Sequence, residues 1–316
     1  MSDLLARLGL AVLLPQSELQ HLIRSAPYRY KVYRIPKRAP GEFRTIAQPA
    51  REIKALQYWV MKNVLNKFAV HPSATAYRKH VSIAQNAKPH VRGRFLLKMD
   101  FKDFFPSLKA NDLRTFLEKQ GADFDLDEVS ALCNILFWVP KAGFPELCLS
   151  IGAPSSPLLS NVLMVTFDRD IAELCSALNV KYTRYADDLS FSAAKSEDLQ
   201  RVEHAVLSWC DQSTSPRLAV NQKKTVRVSK RESRRVTGLV LTNDRKVSLG
   251  RDLKRTIRAT LHHFATGRLA PGDIQKLQGM LAYVNSVEPS FLRRLRKKFG
   301  SDVVRRCVEW KAPSAK

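Results

Sequence analysis

Two neighbouring carboxylates, Asp187 and Asp188, follow Tyr185 and Ala186 between two short runs, 181–184 and 189–192, that alternate like strands. Like charges at a sharp turn repel, and each raises the pKa of the other. A divalent cation reverses that balance, because hard carboxylate oxygens suit Mg²⁺ and the paired negative charge becomes useful. Nucleotidyl transfer uses such a site, with two metals about 4 Å apart clamping the attacking and the leaving oxygen. Asp100 supplies a third acid, at the end of the apolar run 94–99. A single Asp at a strand end is more often solvated or caps a helix. Three of them, delivered by a strand and a hairpin, point to a polymerase centre.

The elements that must position these acids alternate irregularly between helix and strand. Residues 1–25 read as helical, with Leu4, Leu5, Leu8 and Val12 on one stripe. Residues 28–48 read as a hairpin turning around Pro40 and Gly41. An amphipathic helix is expected over 50–68, where Ile53, Leu56, Trp59, Val60 and Val64 fall near helical spacing. Residues 71–92 look loop-rich. Helices are expected from near Ser107, over 126–137, over 156–177 and over 197–212, with a loop at 139–155. Strands are expected at 218–228 and 236–241. This order indicates an α+β architecture rather than a doubly wound sheet.

Charge divides the chain. Its 316 residues suffice for two or three subdomains, and a hydrophobic fraction of 45% is ordinary for a folded protein. The formal net charge of +24 is not ordinary. Residues 221–316 hold 24 Lys and Arg against 7 Asp and Glu, whereas the first 220 hold 29 against 22. A basic C-terminal third on a nearly balanced body suggests a grip on a polyanion. Within it, Leu253, Ile257, Leu261 and Phe264 share one helical face, opposite Arg251, Lys254, Arg255, Arg258 and His262. Ile274, Leu277, Met280, Leu281 and Val284 mark a second helix, and Arg293, Arg294, Arg296, Lys297 and Lys298 form a dense basic cluster. Five scattered cysteines, an odd number without a C-x-x-C pair, argue against a disulfide framework or structural zinc. A reducing cytoplasm is the expected home. The apolar stretch 8–14 is too short to span a bilayer.

Taken in order, these motifs resemble those of reverse transcriptases, and most narrowly the retron reverse transcriptases of bacteria. Asp100 with Phe105 matches the first palm motif. Gly152-Ala153-Pro154-Ser155-Ser156-Pro157 with Leu159-Ser160-Asn161 matches the second. Tyr185-Ala186-Asp187-Asp188 is the third, Asn221-Gln222-Lys223-Lys224-Thr225 resembles the fourth, and Val236-Thr237-Gly238-Leu239 resembles the segment joining palm and thumb. Asn86-Ala87-Lys88-Pro89-His90 fits the retron N-A-x-x-H pattern. One departure stands out: Ile151 occupies the position where many reverse transcriptases carry Gln, and Ser150 stands where Pro is usual. An apolar side chain cannot make that polar contact, so altered nucleotide affinity is expected rather than loss of activity.

The resemblance implies a right-hand polymerase: an N-terminal helical segment (1–25), fingers (26–94), a palm (95–240) with a fingers insertion at about 107–155, and a helical basic thumb (241–316). It implies that Asp100 and Asp187 bridge two Mg²⁺ ions, with the Phe101 carbonyl completing the set and Asp188 coordinating less directly. Phe105 is the expected steric gate against a ribose 2′-OH. Arg44, with Lys37 and Arg38 as alternatives, is expected over the triphosphate; Asp103, Gly152 and Lys224 complete the nucleotide site. Lys224 or Lys223 is a candidate proton donor to pyrophosphate. Asn86 and His90 are expected to form a local clasp or contact template RNA. Arg251, Lys254, Arg255, Arg258, Arg293, Arg294 and Lys297 are expected along RNA. Implied partners are a cognate structured noncoding RNA and its DNA copy, dNTPs and an effector protein. Synthesis would start from the 2′-OH of an internal guanosine and give a branched product, in defence against phage. Two other readings stay open: another bacterial reverse transcriptase class, diversity-generating or intron-derived, and a non-catalytic RNA-binding scaffold.

Overall fold

The computed structural model describes residues 3–37, 40–140 and 146–311. Strands β1 (Tyr30–Pro36) and β2 (Phe43–Pro49) form an antiparallel hairpin. Four further strands, β3 (Phe95–Asp100), β4 (Lys181–Tyr185), β5 (Asp188–Ala193) and β6 (Val226–Ser229), make an antiparallel sheet in the order β4-β5-β3-β6. A small third sheet joins β7 (Arg235–Val236), β8 (Leu239–Leu241) and β9 (Val247–Ser248).

β3 reads as nearly continuous apolar sequence because both faces of the sheet are covered. Leu97 and Met99 turn to one face, with Leu189 and Phe191 of β5, into a core built by the helices of the body. Leu96 turns the other way, into a second core with Ala87, Val236, Leu239 and the C-terminal helices. Each fully buried leucine contributes roughly 1.5–3 kcal/mol. Beyond Leu96 the β3 residues on that face are polar. At the opposite end of β3 the same face carries Asp100, across from Asp188.

Several elements differ from their sequence expectation, each for a local reason. The first helix is two, Asp3–Val12 and Gln16–Ser25, broken where Leu13 takes a φ of 57° and Pro15 cannot continue a helix. The helix expected over 156–177 is divided at Met164 into Ser156–Leu163 and Val165–Ala177. The break falls among the β-branched residues Val162, Val165 and Thr166, which lower helix preference. The loop-rich stretch 71–92 contains a short helix, Ile83–Ala87, closed by a Ser82/Gln85 capping box, and a 3₁₀ turn over Lys88–Arg92. Of the strand expected over 218–228, only Val226 onward is regular; Gln222–Lys224 is a 3₁₀ turn. The strand expected over 236–241 is a hairpin, because Thr237 (φ 45°) and Gly238 (φ 81°) take the left-handed turn geometry that glycine favours. Part of the loop at 139–155, namely 141–145, and Arg38 lie outside the described residues.

The basic third folds as four helices, Arg251–Ala265, Pro271–Val287, Pro289–Phe299 and Ser301–Glu309, around Ile257, Leu277, Val284, Phe291 and Leu295. One carboxylate organises it. Glu288 accepts from the Leu249 N–H (3.1 Å), the Ser248 hydroxyl (3.2 Å), Lys254 Nζ (2.7 Å) and Arg294 Nη2 (2.9 Å). No helix among the described residues is long and apolar enough to cross a membrane.

Glu288→Ala would leave the Lys254 ammonium, only 17% exposed, without its counter-charge. The variant should lose roughly 2 kcal/mol of stability, read as a lower urea midpoint, while Glu288→Gln should lose less.

Candidate active site

Three chain segments meet at one end of the four-stranded sheet. Asp100 and Asp188 are register partners across β3 and β5, so their side chains leave the sheet on the same face with Cβ atoms about 5 Å apart. Ala186 and Asp187 form the two-residue turn between the paired Tyr185 and Asp188. The Phe101 N–H donates to the Asp187 carbonyl (3.1 Å), and on the other edge the Asn221 N–H donates to the Asp100 carbonyl (2.7 Å). An extended residue points its N–H and C=O to the same edge, which sets the Phe101 carbonyl on the side of the acidic turn.

The electrostatics are those of a site short of positive charge. Burial raises the Asp187 pKa, and the Asp188 and Asp100 carboxylates raise it further against Lys224. Burial likewise raises Asp188, with Asp100 adding to it and Lys98 and Lys224 opposing. Lys224 Nζ donates to Asp100 Oδ1 at 2.9 Å, and that hydrogen bond raises the lysine's own pKa. Its side chain is 61% exposed, so this bridge is weak and exchangeable. Among the described residues no group of three or more His, Cys, Asp or Glu side chains is placed to hold a metal ion. The donor chemistry nevertheless fits a hard divalent cation: carboxylate oxygens, two of the acids made costly to ionise, and Lys98 and Lys224 as the nearby positive charges.

Around the acids the expected nucleotide residues separate into distinct environments. Phe104 is buried and stacked on Phe101 (5.7 Å between ring centres, 13°). Phe105 is only partly buried, with Tyr77 on its flank at 6.3 Å. Phe104 is therefore the buried aromatic of the pair, while Phe105 packs against the same core from a partly exposed position. Tyr77 keeps a φ of 62° and feels both the Asp187 carboxylate and the Arg44 guanidinium, which places it between the β1–β2 hairpin and the acids. Arg44 is exposed on β2, opposite Ile35. Asp103 is exposed in left-handed geometry (φ 45°), turning the chain from β3 into the helix Phe104–Ser107.

Gly152 and its neighbour do something the sequence did not suggest. A Cβ on Gly152 (φ 130°) would lie 2.9 Å from the Ala47 carbonyl, and the Ile151 carbonyl accepts from the Ala47 N–H at 2.9 Å. The close approach that glycine permits is to the backbone of β2, locking the second motif onto the hairpin that carries Arg44.

Asn86 and His90 are corrected as RNA contacts. Both are buried, at 1% and 0% exposure. His90 bridges Ser192 (Nδ1, 2.8 Å) and Thr183 (Nε2, 2.9 Å), tying β5 to β4. Asn86 accepts from the Thr75 hydroxyl (2.8 Å) and donates to Thr237 (3.4 Å). They are the clasp, and no polar atom is left for a template. Lys254 is corrected likewise, since Glu288 and Ser248 hold its ammonium. Arg294 shares Glu288 but stays exposed, and Arg251, Arg255, Arg258, Arg293 and Lys297 are exposed.

Sequence reasoning overlooked Arg184 and Asp168, a fully buried ion pair beneath the acidic turn. A signal existed: Asp168 shares a helical stripe with the buried Ile171 and Cys175, and a charge on an apolar stripe needs a buried partner. Which cation would answer it was not legible.

Comparison with known proteins places the chain in a family. The profile of the family described as reverse transcriptase (RNA-dependent DNA polymerase) matches residues 35–241. The chain is 37% identical to the retron Ec83 reverse transcriptase of Escherichia coli over 286 residues, covering 90% of this chain and 91% of that one. It is 33% identical to the retron Mx65 reverse transcriptase of Myxococcus xanthus over 309 residues, covering 94% and 70%. In fold it is similar to telomerase from Candida albicans in complex with a fragment of telomeric RNA: TM-score 0.50, 14% identity, 87% of this chain and 56% of that one.

Burial pushes His90 down to about 3 from the ordinary imidazole value of 6.5. The folded chain then holds it neutral while the unfolded chain takes up a proton, so its contribution is complete above pH 6.5 and is lost as pH falls toward the folded value. A His90→Gln variant should show a shallower decline of thermal midpoint across that acid range than the parent.

Proposed function

The chain belongs to the retron reverse transcriptases and is an RNA-directed DNA polymerase, and on that premise we propose that Asp100, Asp187 and Asp188 are the acids of its two-metal centre. The observation that carries this reading is the β3–β5 register, which sets Asp100 opposite Asp188 with Asp187 in the adjoining turn. Divalent metal, generally used by this family, would supply two functions when bound: acidifying the primer hydroxyl and neutralising the triphosphate. Asp100 and Asp187 would hold the pair, with the Phe101 carbonyl as a further oxygen ligand and Asp188 trimming the charge. Mg²⁺ is the ion that suits this all-oxygen set.

The remaining residues position the nucleotide. Phe105, partly exposed beside Tyr77, would lie under the sugar and exclude a 2′-OH. Arg44 would grip the triphosphate, bidentate geometry favouring Arg over Lys. Gly152 would act by fixing the second motif to β2, and Asp103 by shaping the turn below the nucleotide. Lys224, exposed and bonded to Asp100, would contact or protonate pyrophosphate. The fingers would span 26–94, the palm 95–240 and the thumb 241–316, after an N-terminal helical segment.

Template RNA and dNTPs are the substrates of such an enzyme. Arg251, Arg255, Arg258, Arg293, Arg294 and Lys297 would carry the RNA backbone, a mode of contact that gives salt dependence and little sequence discrimination. The finer reading rests on the likeness to retron enzymes: copying of a cognate noncoding RNA from an internal 2′-OH into a branched product, together with an effector protein and in defence against phage, in the cytoplasm. Short DNA that co-purifies with the protein and is freed only by debranching enzyme or RNase would support it; linear DNA alone would sink it.

Asp187→Asn should lower DNA synthesis on the order of 10³-fold or more, with RNA affinity little changed. Mg²⁺ should raise the thermal midpoint of the parent more than that of the variant; robust synthesis by the variant would remove the assignment. Phe105→Ala should raise ribonucleotide incorporation by an order of magnitude or more relative to dNTP, read by primer extension with each nucleotide type.

A further inference from the structure

Arg184 and Asp168 sit on the face of the sheet opposite the acids, both with side chains 0% exposed. They meet face to face, Nε to Oδ1 at 2.8 Å and Nη2 to Oδ2 at 2.5 Å. The Tyr182 hydroxyl donates to Asp168 Oδ1 at 2.7 Å. Arg184 Nη1 has two acceptors left, Asn161 Oδ1 at 3.2 Å and the Ala186 carbonyl at 3.1 Å. The backbone of Arg184 is pinned as well, its N–H donating to Ser73 (2.7 Å) and its carbonyl accepting from Thr75 (2.8 Å).

Ala186 is the first residue of the turn that carries Asp187, with a φ of 59°. Two-residue hairpin turns of this hand are normally made from Gly, Asn or Asp, because a Cβ clashes in the left-handed region. This turn has alanine there, so its own sequence does not favour its shape. The geometry is imposed from outside, by the guanidinium on the Ala186 carbonyl and by the Phe101 N–H on the Asp187 carbonyl. A buried ion pair is a poor device for stability alone, since apolar residues of similar volume often serve as well. What apolar residues cannot supply is a donor to the Ala186 carbonyl.

We propose that Arg184, anchored by Asp168, is a positioning residue for the acidic turn: it holds the Ala186 peptide in the left-handed conformation and so presets Asp187 before substrate arrives. The inference rests on Asp187 being a catalytic acid, and its failure is separable. Asp187→Asn tests the acid itself in an otherwise intact chain, whereas the variants below leave every acid of the centre in place.

The test is the double variant Arg184→Met with Asp168→Leu, which removes both charges together. A merely structural pair predicts that stability and activity return together. Positioning predicts a thermal midpoint near the parent's, unchanged KM for dNTP and RNA affinity, a kcat lower on the order of 10²-fold, and faster hydrogen exchange at the 185–188 amides. Parental kcat with unchanged exchange would overturn the proposal. Should the double variant fail to fold, Arg184→Lys keeps a cation against Asp168 and loses the planar fork. Adding Ala186→Gly to it should recover several-fold in kcat, because glycine adopts the turn geometry unheld; a rate that glycine leaves unchanged overturns the proposal.

Discussion

The antiparallel register of β3 against β5 is the constraint on which the rest of the molecule depends. Side chains alternate with a period of two, so a slip of one residue would turn Asp188 away from Asp100 and bury it in the body. Leu97 and Met99 opposite Phe191 and Leu189 resist that slip, because it would also turn the apolar set to the wrong side. Concentrated negative charge is thus held in place by hydrophobic packing on the reverse face of the same strands. The repulsion among the acids is tolerated because the strands that carry them are fixed by something much larger.

That arrangement explains how the sheet's second face is divided. Near Leu96 and Ser192 it is sealed by the segment 83–92 and by the C-terminal helices. Toward the acids the face turns polar: Ser190 and Asp100 are buried, while Asp187 and Asp188 are partly exposed. His90, neutral and buried, fastens β4 to β5 at the sealed end. The basic helices therefore share a core with the sheet rather than hang from it. Glu288 keeps part of that positive charge for internal use, so the density of Lys and Arg in the sequence overstates what is available to a polyanion.

The second motif illustrates how a recognisable pattern can serve a different physical purpose from the one first assigned. Gly152 suggests room for a ligand, yet the atom that needs the room is the Ala47 carbonyl of β2. The hairpin with Arg44 and the loop before the helix Ser156–Leu163 become one unit through that contact and the Ile151 to Ala47 hydrogen bond. Ile151 joins them through its backbone, which any residue could do, so the loss of Gln at that position leaves the docking intact.

Much of this protein was legible in residue order alone. The apolar strand that ends in Asp100, the hairpin that carries Asp187 and Asp188, the α+β class and the basic C-terminal third follow from local pattern, because periodicity and composition are local quantities. Helix breaks at Pro15 and Met164 and the Thr237-Gly238 turn were less visible, since they depend on single backbone torsions. Tertiary structure alone decided what Asn86, His90, Lys254 and Arg184 do. A polar side chain's role is set by whether water or a partner from a distant segment reaches it. That partner can lie 93 residues away, as between His90 and Thr183, or be only 16 residues off on another element, as between Arg184 and Asp168. Burial converts such residues from candidate ligands into clasps, and burial belongs to the fold rather than to the residue.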